Sequence, residues 1–327
     1  MTANEDDRAL IRHPSSTPIR TGVSRSGVLQ RMTASTLQLM RQFPPPAAVP
    51  QRFTLGDIAF AEPDYRQLLI WAEALGLRPE ELVLRLQQQP PYELAEQTIS
   101  FKVVNGSIRD LVWDLSAFPV ADFAWVDGLK IEKLAFCGRG VRTTKLVPRL
   151  PQLTTLYCCG IQLTELALSS VPELTNLYCH DNLLTELDLS SVPLLFGLWC
   201  KNNRLTELDL SRVPQLTALG CWSNRLMRLG LTSVPKLTNL YCGDNKLMEL
   251  DLSNVPQLGI LYCWNNQLTQ LDLSNVPQLT MLICNLNQLT ALDLSNVPLL
   301  TTLRCDQRLV RRLNTSFRPF LKVNQRQ

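Results

Sequence analysis

The stretch LTNLYCHDNLLTELDLSSVPL, residues 174–194, is one copy of a 21-residue phrase that recurs from residue 153 to residue 320. Prolines at 172, 193, 214, 235, 256, 277, 298 and 319 fall 21 apart, as do cysteines at 158, 179, 200, 221, 242, 263, 284 and 305. Such regularity predicts a solenoid in which each coil is one copy. Leu177 and Cys179 stand at i and i+2 and share one face of a strand, with Tyr178 on the other. Leu187 and Leu189 repeat that alternation ten residues later. The fold class expected is therefore α/β by content and mostly β, with two short parallel strands per 21-residue coil. A lone coil cannot bury its leucines, so neighbouring coils must supply the burial and the backbone hydrogen bonds.

The pattern L-x-x-L-x-C-x-x-N-x-L, filled by Leu174, Leu177, Cys179, Asn182 and Leu184, resembles a leucine-rich repeat. Leu187-Asp188-Leu189 in the second half refines this to a similarity with the nested bacterial class called IRREKO-type, in which Cys takes the third Leu position. The resemblance covers about half of the chain, from Leu153 onward. It implies a binding protein whose first strands line a concave sheet. It does not name a partner.

Composition narrows the function. The 327 residues carry 32 basic and 29 acidic side chains, a net charge of +3, which gives no electrostatic footprint for nucleic acid. No apolar run is long enough for a membrane span, and the acidic opening Glu5-Asp6-Asp7 is unlike a signal peptide. Of ten cysteines, eight take the inward strand slot, where free Cys packs as a small hydrophobe, and a buried thiol row fits a reducing, cytoplasmic compartment. With only His13 and His180, and no Gly-rich phosphate loop, the sequence offers no catalytic set, no metal site and no cofactor.

Four regions are expected along the chain. Residues 1–52 read as a Ser/Thr/Arg/Pro-rich disordered leader, interrupted by an apolar stripe of Leu29, Met32, Thr36, Met40 and Phe43. Leaders of this kind resemble those of type III secreted effectors. Residues 53–97 form a helical hairpin that caps the solenoid, its first helix opening at Pro63 and ending at Gly76, its second starting at Pro79. Residues 98–152 read as degenerate coils, in which Asp114 to Pro119 echo Asp188 to Pro193, and Phe136 takes an inward slot. This sends Cys137, like Cys159, outward, so reactivity is sought at these two thiols. Residues 153–327 hold the repeats and a polar terminal coil with Arg308, Thr315 and Arg318 at slots held elsewhere by Asn, Leu and Val. Seven cations (Arg304, Arg308, Arg311, Arg312, Arg318, Lys322 and Arg326) against Asp306 make that end basic.

Two polar rows belong to the fold. Asp188, Asp209, Asp251, Asp272 and Asp293 are expected to hydrogen-bond turn amides and the following Ser, and Asn182 to Asn287 to bond the other turn. The aromatic residues are different. Tyr157, Tyr178, Trp199, Tyr241 and Tyr262 occupy the outward slot between the inward Leu and Cys, and Trp222 and Trp264 lie just beyond it. The second strand has the same geometry and no aromatic. Tyr and Trp bring large contact area at low entropy cost, so the stripe reads as a partner-binding face, with His180, Lys201, Asp181 and Asp244 beside it setting specificity.

The reading is a non-enzymatic protein-interaction scaffold, bacterial in type, that binds a protein through the aromatic concave sheet. Delivery to a host cell as an effector, by a non-classical route, is its extension. The alternative is a carbohydrate-binding solenoid in which aromatic rows stack sugar rings. Partner identity and oligomeric state are left open.

Overall fold

The computed structural model describes residues 53–89, 92–93, 98–115, 129–137, 145–146, 149–310 and 322–323. The expectations for the leader, for the stretch after Leu115 that echoes the repeat, for Thr315 and Arg318 and for most of the basic C-terminal cluster lie outside these residues.

The described residues open with an antiparallel pair, β1 (Phe53–Leu55) and β2 (Ile58–Phe60). Two helices follow, α1 (Glu62–Leu75) and α2 (Pro79–Gln88). Each has Pro in its first turn, where the missing amide hydrogen is no loss. Gly76 ends α1 in the left-handed conformation at φ 66°. Leu68 and Trp71 on α1 and Leu82 and Leu86 on α2 are buried in the same core as the repeat leucines. Trp71 meets Trp113 edge-on at 4.9 Å, and buried Asp64 accepts the Ile108 amide hydrogen at 2.7 Å.

The strands β3 (Tyr92–Glu93) and β4 (Thr98–Ile99) pair antiparallel, as do β5 (Lys102–Val104) and β6 (Ser107–Asp114). Degenerate coils would have made this region parallel throughout. The antiparallel β5–β6 step follows from Asn105-Gly106, both at positive φ (51° and 82°), the pairing that suits a tight hairpin turn. Gly106 also has to be glycine for space, because a Cβ there would lie 2.8 Å from the Ala61 nitrogen. From β6 onward every neighbour is parallel, and β7 (Lys133–Cys137) sets Phe136 beside Trp113 and Leu134 beside Leu156.

The repeats contribute β9 (Thr155–Tyr157), β11 (Asn176–Tyr178), β12 (Gly197–Trp199), β13 (Ala218–Gly220), β14 (Asn239–Tyr241), β15 (Ile260–Tyr262), β16 (Met281–Ile283) and β17 (Thr302–Arg304). With β5, β6, β7 and the closing β18 (Lys322–Val323) they form one 12-stranded sheet. Its register is in phase by 21 residues, so Tyr178 stands beside Trp199 and Leu177 beside Leu198. The inward Leu, Cys and Val of successive coils form one continuous buried core. The architecture is the mostly β solenoid expected, with a short helical cap.

The second strand is the exception. It pairs as a ladder between β8 (Lys145–Leu146) and β10 (Glu165–Leu166). In later coils Leu187 and Leu189, and their equivalents as far as Leu271 and Leu273, are buried without strand pairing. Here the Asp between the leucines starts a turn at once, with Asp188 Oδ1 accepting the Ser190 amide hydrogen at 2.9 Å. That turn leaves too short an extended run for a ladder. The backbone bond on this side falls earlier in the coil, as in Arg204 N–H to the Leu184 carbonyl at 2.8 Å.

The asparagine row completes the coils. Asn203 Oδ1 accepts the Leu184 amide hydrogen, while its Nδ2 donates to the carbonyls of Cys179 and Cys200, all at 3.0 Å. Asn224, Asn245, Asn266 and Asn287 make the same reach into the preceding coil. Just before each Asn the chain passes through the left-handed region, at Asp181, Asn202, Ser223, Asp244, Asn265 and Leu286.

Candidate functional site

The first strand and the residues just after it present the outward face of the large sheet. Its backbone is already satisfied by the strand ladder and by bonds such as Cys179 N–H to the Trp199 carbonyl and Asp181 N–H to the Lys201 carbonyl. Side chains on this face are thereby released from structural duty. The column between inward Leu and Cys reads Tyr157, Tyr178, Trp199, Gly220, Tyr241, Tyr262, Ile283 and Arg304. A second column, two residues on, reads Cys159, His180, Lys201, Trp222, Gly243, Trp264, Asn285 and Asp306.

The rings touch one another. Tyr157 and Tyr178 lie 5.0 Å apart, Tyr178 and Trp199 stack in nearly parallel planes at 6.5 Å, and Tyr241 meets Tyr262 edge-on at 4.9 Å. Trp199 reaches past one coil to Tyr241 at 5.5 Å, with Trp222 edge-on to both. Gly220 makes this possible, since a Cβ there would sit 2.3 Å from Trp199 Cε3 and 2.8 Å from Trp222 Cζ3. Gly243 seats Trp264 in the same way, its absent Cβ 2.3 Å from the indole nitrogen. The two glycines belong to the candidate face although neither is an expected site residue. The available signal was a glycine in a slot that carries Trp or Tyr elsewhere.

Each expected site residue has a definite place. Tyr178, Trp199, Trp222, Tyr241, Tyr262 and Trp264 are half-buried, so their faces or edges remain accessible. Lys201 holds its ammonium over the Trp222 ring, 5.1 Å from the centroid. Tyr262 donates its hydroxyl to Met281 Sδ at 2.9 Å. Tyr157 departs from expectation. It is 5% exposed, packed with Val112 and Ala135 of the two preceding strands, and belongs to a small buried cluster instead of an open stripe.

A polar network joins Tyr157 to the edge of the face. Its hydroxyl lies 3.1 Å from His180 Nε2, His180 Nδ1 lies 2.6 Å from Asp181 Oδ2, and Asn202 donates to Asp181 Oδ1 at 2.7 Å. Burial lowers the His180 pKa below its usual value although Asp181 opposes this. Burial also works against the Asp181 carboxylate, but hydrogen bonds from Asn202 and His180 outweigh it and hold its pKa down. A neutral imidazole with Nδ1–H toward Asp181 accepts a hydrogen bond from the Tyr157 hydroxyl at Nε2, so the network orients four side chains around the Asp181 carboxylate. Further along the solenoid Asp244 is held similarly, accepting from Ser223 and Asn265 at 2.8 and 2.6 Å.

Cys137 and Cys159 lack the electropositive, exposed surroundings that activate a thiol. Both are half-buried in the Tyr157 cluster, and burial pushes them up to about 11 and about 12 respectively. The eight inward cysteines are buried and free, their thiols held protonated by desolvation. Among the described residues no group of His, Cys, Asp or Glu is arranged for a metal ion, and no helix is long and apolar enough to cross a membrane.

Beyond Tyr262 the character of the face changes. Tyr262, Trp264, Ile283, Asn285, Leu286 and Arg304 line a cavity of about 370 Å³, within the roughly 300–1,000 Å³ range of ligand pockets.

No protein-family model matches the chain, and no curated protein matches it. Solved structures do. The functional domain of InlJ from Listeria monocytogenes, which includes a cysteine ladder, is 32% identical over 62% of this chain and 47% of its own, with a TM-score of 0.49. YopM from Yersinia enterocolitica is 28% identical, covering 54% of this chain and 37% of its own, with a TM-score of 0.47. The leucine-rich repeat domain of APL1B is 26% identical over 56% of each chain, also at 0.47. This chain thus spans less than half the length of the first two.

Proposed function

We propose that this chain is a non-enzymatic scaffold of the nested 21-residue leucine-rich-repeat class. In this reading it binds a protein on the outward face of its large sheet, between Tyr178 and Trp264. The observation that carries the reading is the run of half-buried rings from Tyr178 through Trp199, Trp222 and Tyr241 to Tyr262, which the solenoid does not need for its core. Aromatic side chains held by neighbours lose little freedom on binding, a property of interface hot spots. Tyr157 drops out of the contact set because it is buried. His180 orients Asp181 at one flank, and Lys201 adds a cation over Trp222.

The test compares capture of partners by the full chain and by a Tyr178→Ala, Trp199→Ala, Tyr241→Ala, Tyr262→Ala variant with an unchanged circular dichroism spectrum. A partner retained only by the intact chain supports the reading; equal capture, or none, overturns it. Glycan-array binding without a protein partner would move the same face to the carbohydrate alternative. Bacterial origin, cytoplasmic residence and delivery to a host cell are included in this proposal. They rest on the sequence of residues 1–52 and the buried thiol row, and a reporter fusion to those 52 residues tests export.

A further inference from the structure

The cavity at the end of the aromatic run has features that the solenoid does not require. Tyr262, Ile283 and Arg304 are direct neighbours on β15, β16 and β17, so the floor changes from aromatic to aliphatic to cationic in three rungs of about 4.8 Å. Asn285, on the wall, has its carboxamide oxygen buried and without a hydrogen-bond partner. A buried acceptor left this way is destabilising until a donor arrives. Arg304 forms no ion pair among the described residues, and the nearest acid in sequence, Asp306, is occupied by the amide hydrogens of Leu286 and Asn287 at 2.9 and 3.4 Å.

Leu286 adds a further signal. It is 58% exposed and sits at φ 60°, where the sister positions hold Gly160, Asp181, Asn202, Ser223, Asp244 and Asn265. Every other member of that column is glycine or a short polar residue, and these tolerate the left-handed conformation better than leucine. A strained, exposed leucine at a cavity rim is explained by something that covers it.

An occupant that answers all of these brings an apolar body, an N–H donor and an anion. An extended peptide supplies the three together: an apolar side chain for Tyr262, Trp264, Ile283 and Leu286, its backbone amide for Asn285, and a carboxylate for Arg304. Two residues of extended chain span roughly 7 Å, enough to move from the apolar floor to the guanidinium. We infer that this cavity receives an extended segment of a protein partner carrying a large apolar side chain with Asp or Glu two positions away. The inference rests on the reading that this sheet face binds a protein, and it assigns the chemistry of one contact.

The test is selection of random 12-residue segments, displayed between constant flanks so that no terminal carboxylate is free, against the full chain, Arg304→Glu, and a Tyr178→Ala, Trp199→Ala variant. The full chain should enrich apolar-x-acid segments, Arg304→Glu should exchange the acid for Lys or Arg, and synthetic segments should bind Arg304→Gln about tenfold more weakly than the full chain. Should Arg304→Glu fail to fold, Arg304→Gln replaces it in the selection and must lose the acid preference. Segments that depend on Tyr178 and Trp199 but ignore Arg304 would overturn the cavity assignment and leave the binding face standing. Segments that depend on neither site, or no enrichment at all, would overturn both.

Discussion

The two long sides of each coil meet the same demand by different means. On the sheet side, amides and carbonyls pair with the strands before and after, and the outward column runs through Tyr, Trp, Gly, Ile and Arg. On the other side the ladder is sparse, and Asp188, Asp209, Asp251, Asp272 and Asp293 each bond the amide of the Ser two residues on. There the phrase Leu-Asp-Leu-Ser is kept almost unchanged. Where a side chain must satisfy the backbone, its identity is fixed; where the backbone satisfies itself, the side chain is free to differ from coil to coil. The contrast separates residues that hold the solenoid from residues that can recognise something.

The sharpest way to break this comparison is to remove a residue on which the backbone depends. Asn203→Ala leaves the Leu184 amide without a partner and takes from the Cys179 and Cys200 carbonyls one of their two Asn donors, Asn182 and Asn224 remaining, at about 1 kcal/mol per hydrogen bond lost. A total loss of about 3 kcal/mol is expected in urea unfolding. Lys201→Ala, two residues away on the variable face, should cost less than about 1 kcal/mol. Equal losses would sink the distinction.

Gly220→Ala probes the variable side from within. The new methyl must displace the Trp199 ring, with a penalty of about 1–3 kcal/mol and a change in tryptophan emission. An unchanged spectrum would mean that the ring-to-ring run is not held by this seat. The smallest effect is expected opposite, at Gly230, which stands in the Asp slot with open space where its Cβ would be. Gly230→Asn restores a turn acceptor without adding a carboxylate between Asp209 and Asp251, and should stabilise by about 0.5 kcal/mol. Destabilisation there would show that the constant phrase is not constant for the reason given.

The solenoid was legible because its phrase is repeated so often that the inward Leu, Cys and Val positions identify themselves. The second strand was not, since alternation at Leu187 and Leu189 reports burial, and burial occurs there without pairing. The outward aromatic column was legible for the same reason as the core, being the complementary phase of the same alternation. Its internal packing was not. Tyr157 is covered by Val112 and Ala135 from strands outside the regular repeat, and the Trp199 bridge depends on an absent side chain at Gly220. The cavity was hidden because Ile283, Asn285 and Arg304 come from three different residue classes and are united only by register. Cys137 and Cys159 show the remaining gap, for outward phase was read as exposure while the neighbouring coils fold over them.

The asparagine row has one more consequence, because every Asn reaches backward: Asn203 serves Leu184, and Asn224 serves Leu205. A chain emerging from the ribosome therefore always ends in a coil whose turn is unanswered until the next 21 residues arrive. Each rung is thus completed by the one that follows it. In the last regular turn the Asp306 carboxylate accepts from the amides of Leu286 and Asn287, where one coil earlier the amides of Asn265 and Asn266 bond the carbonyls of Asn285 and Leu286.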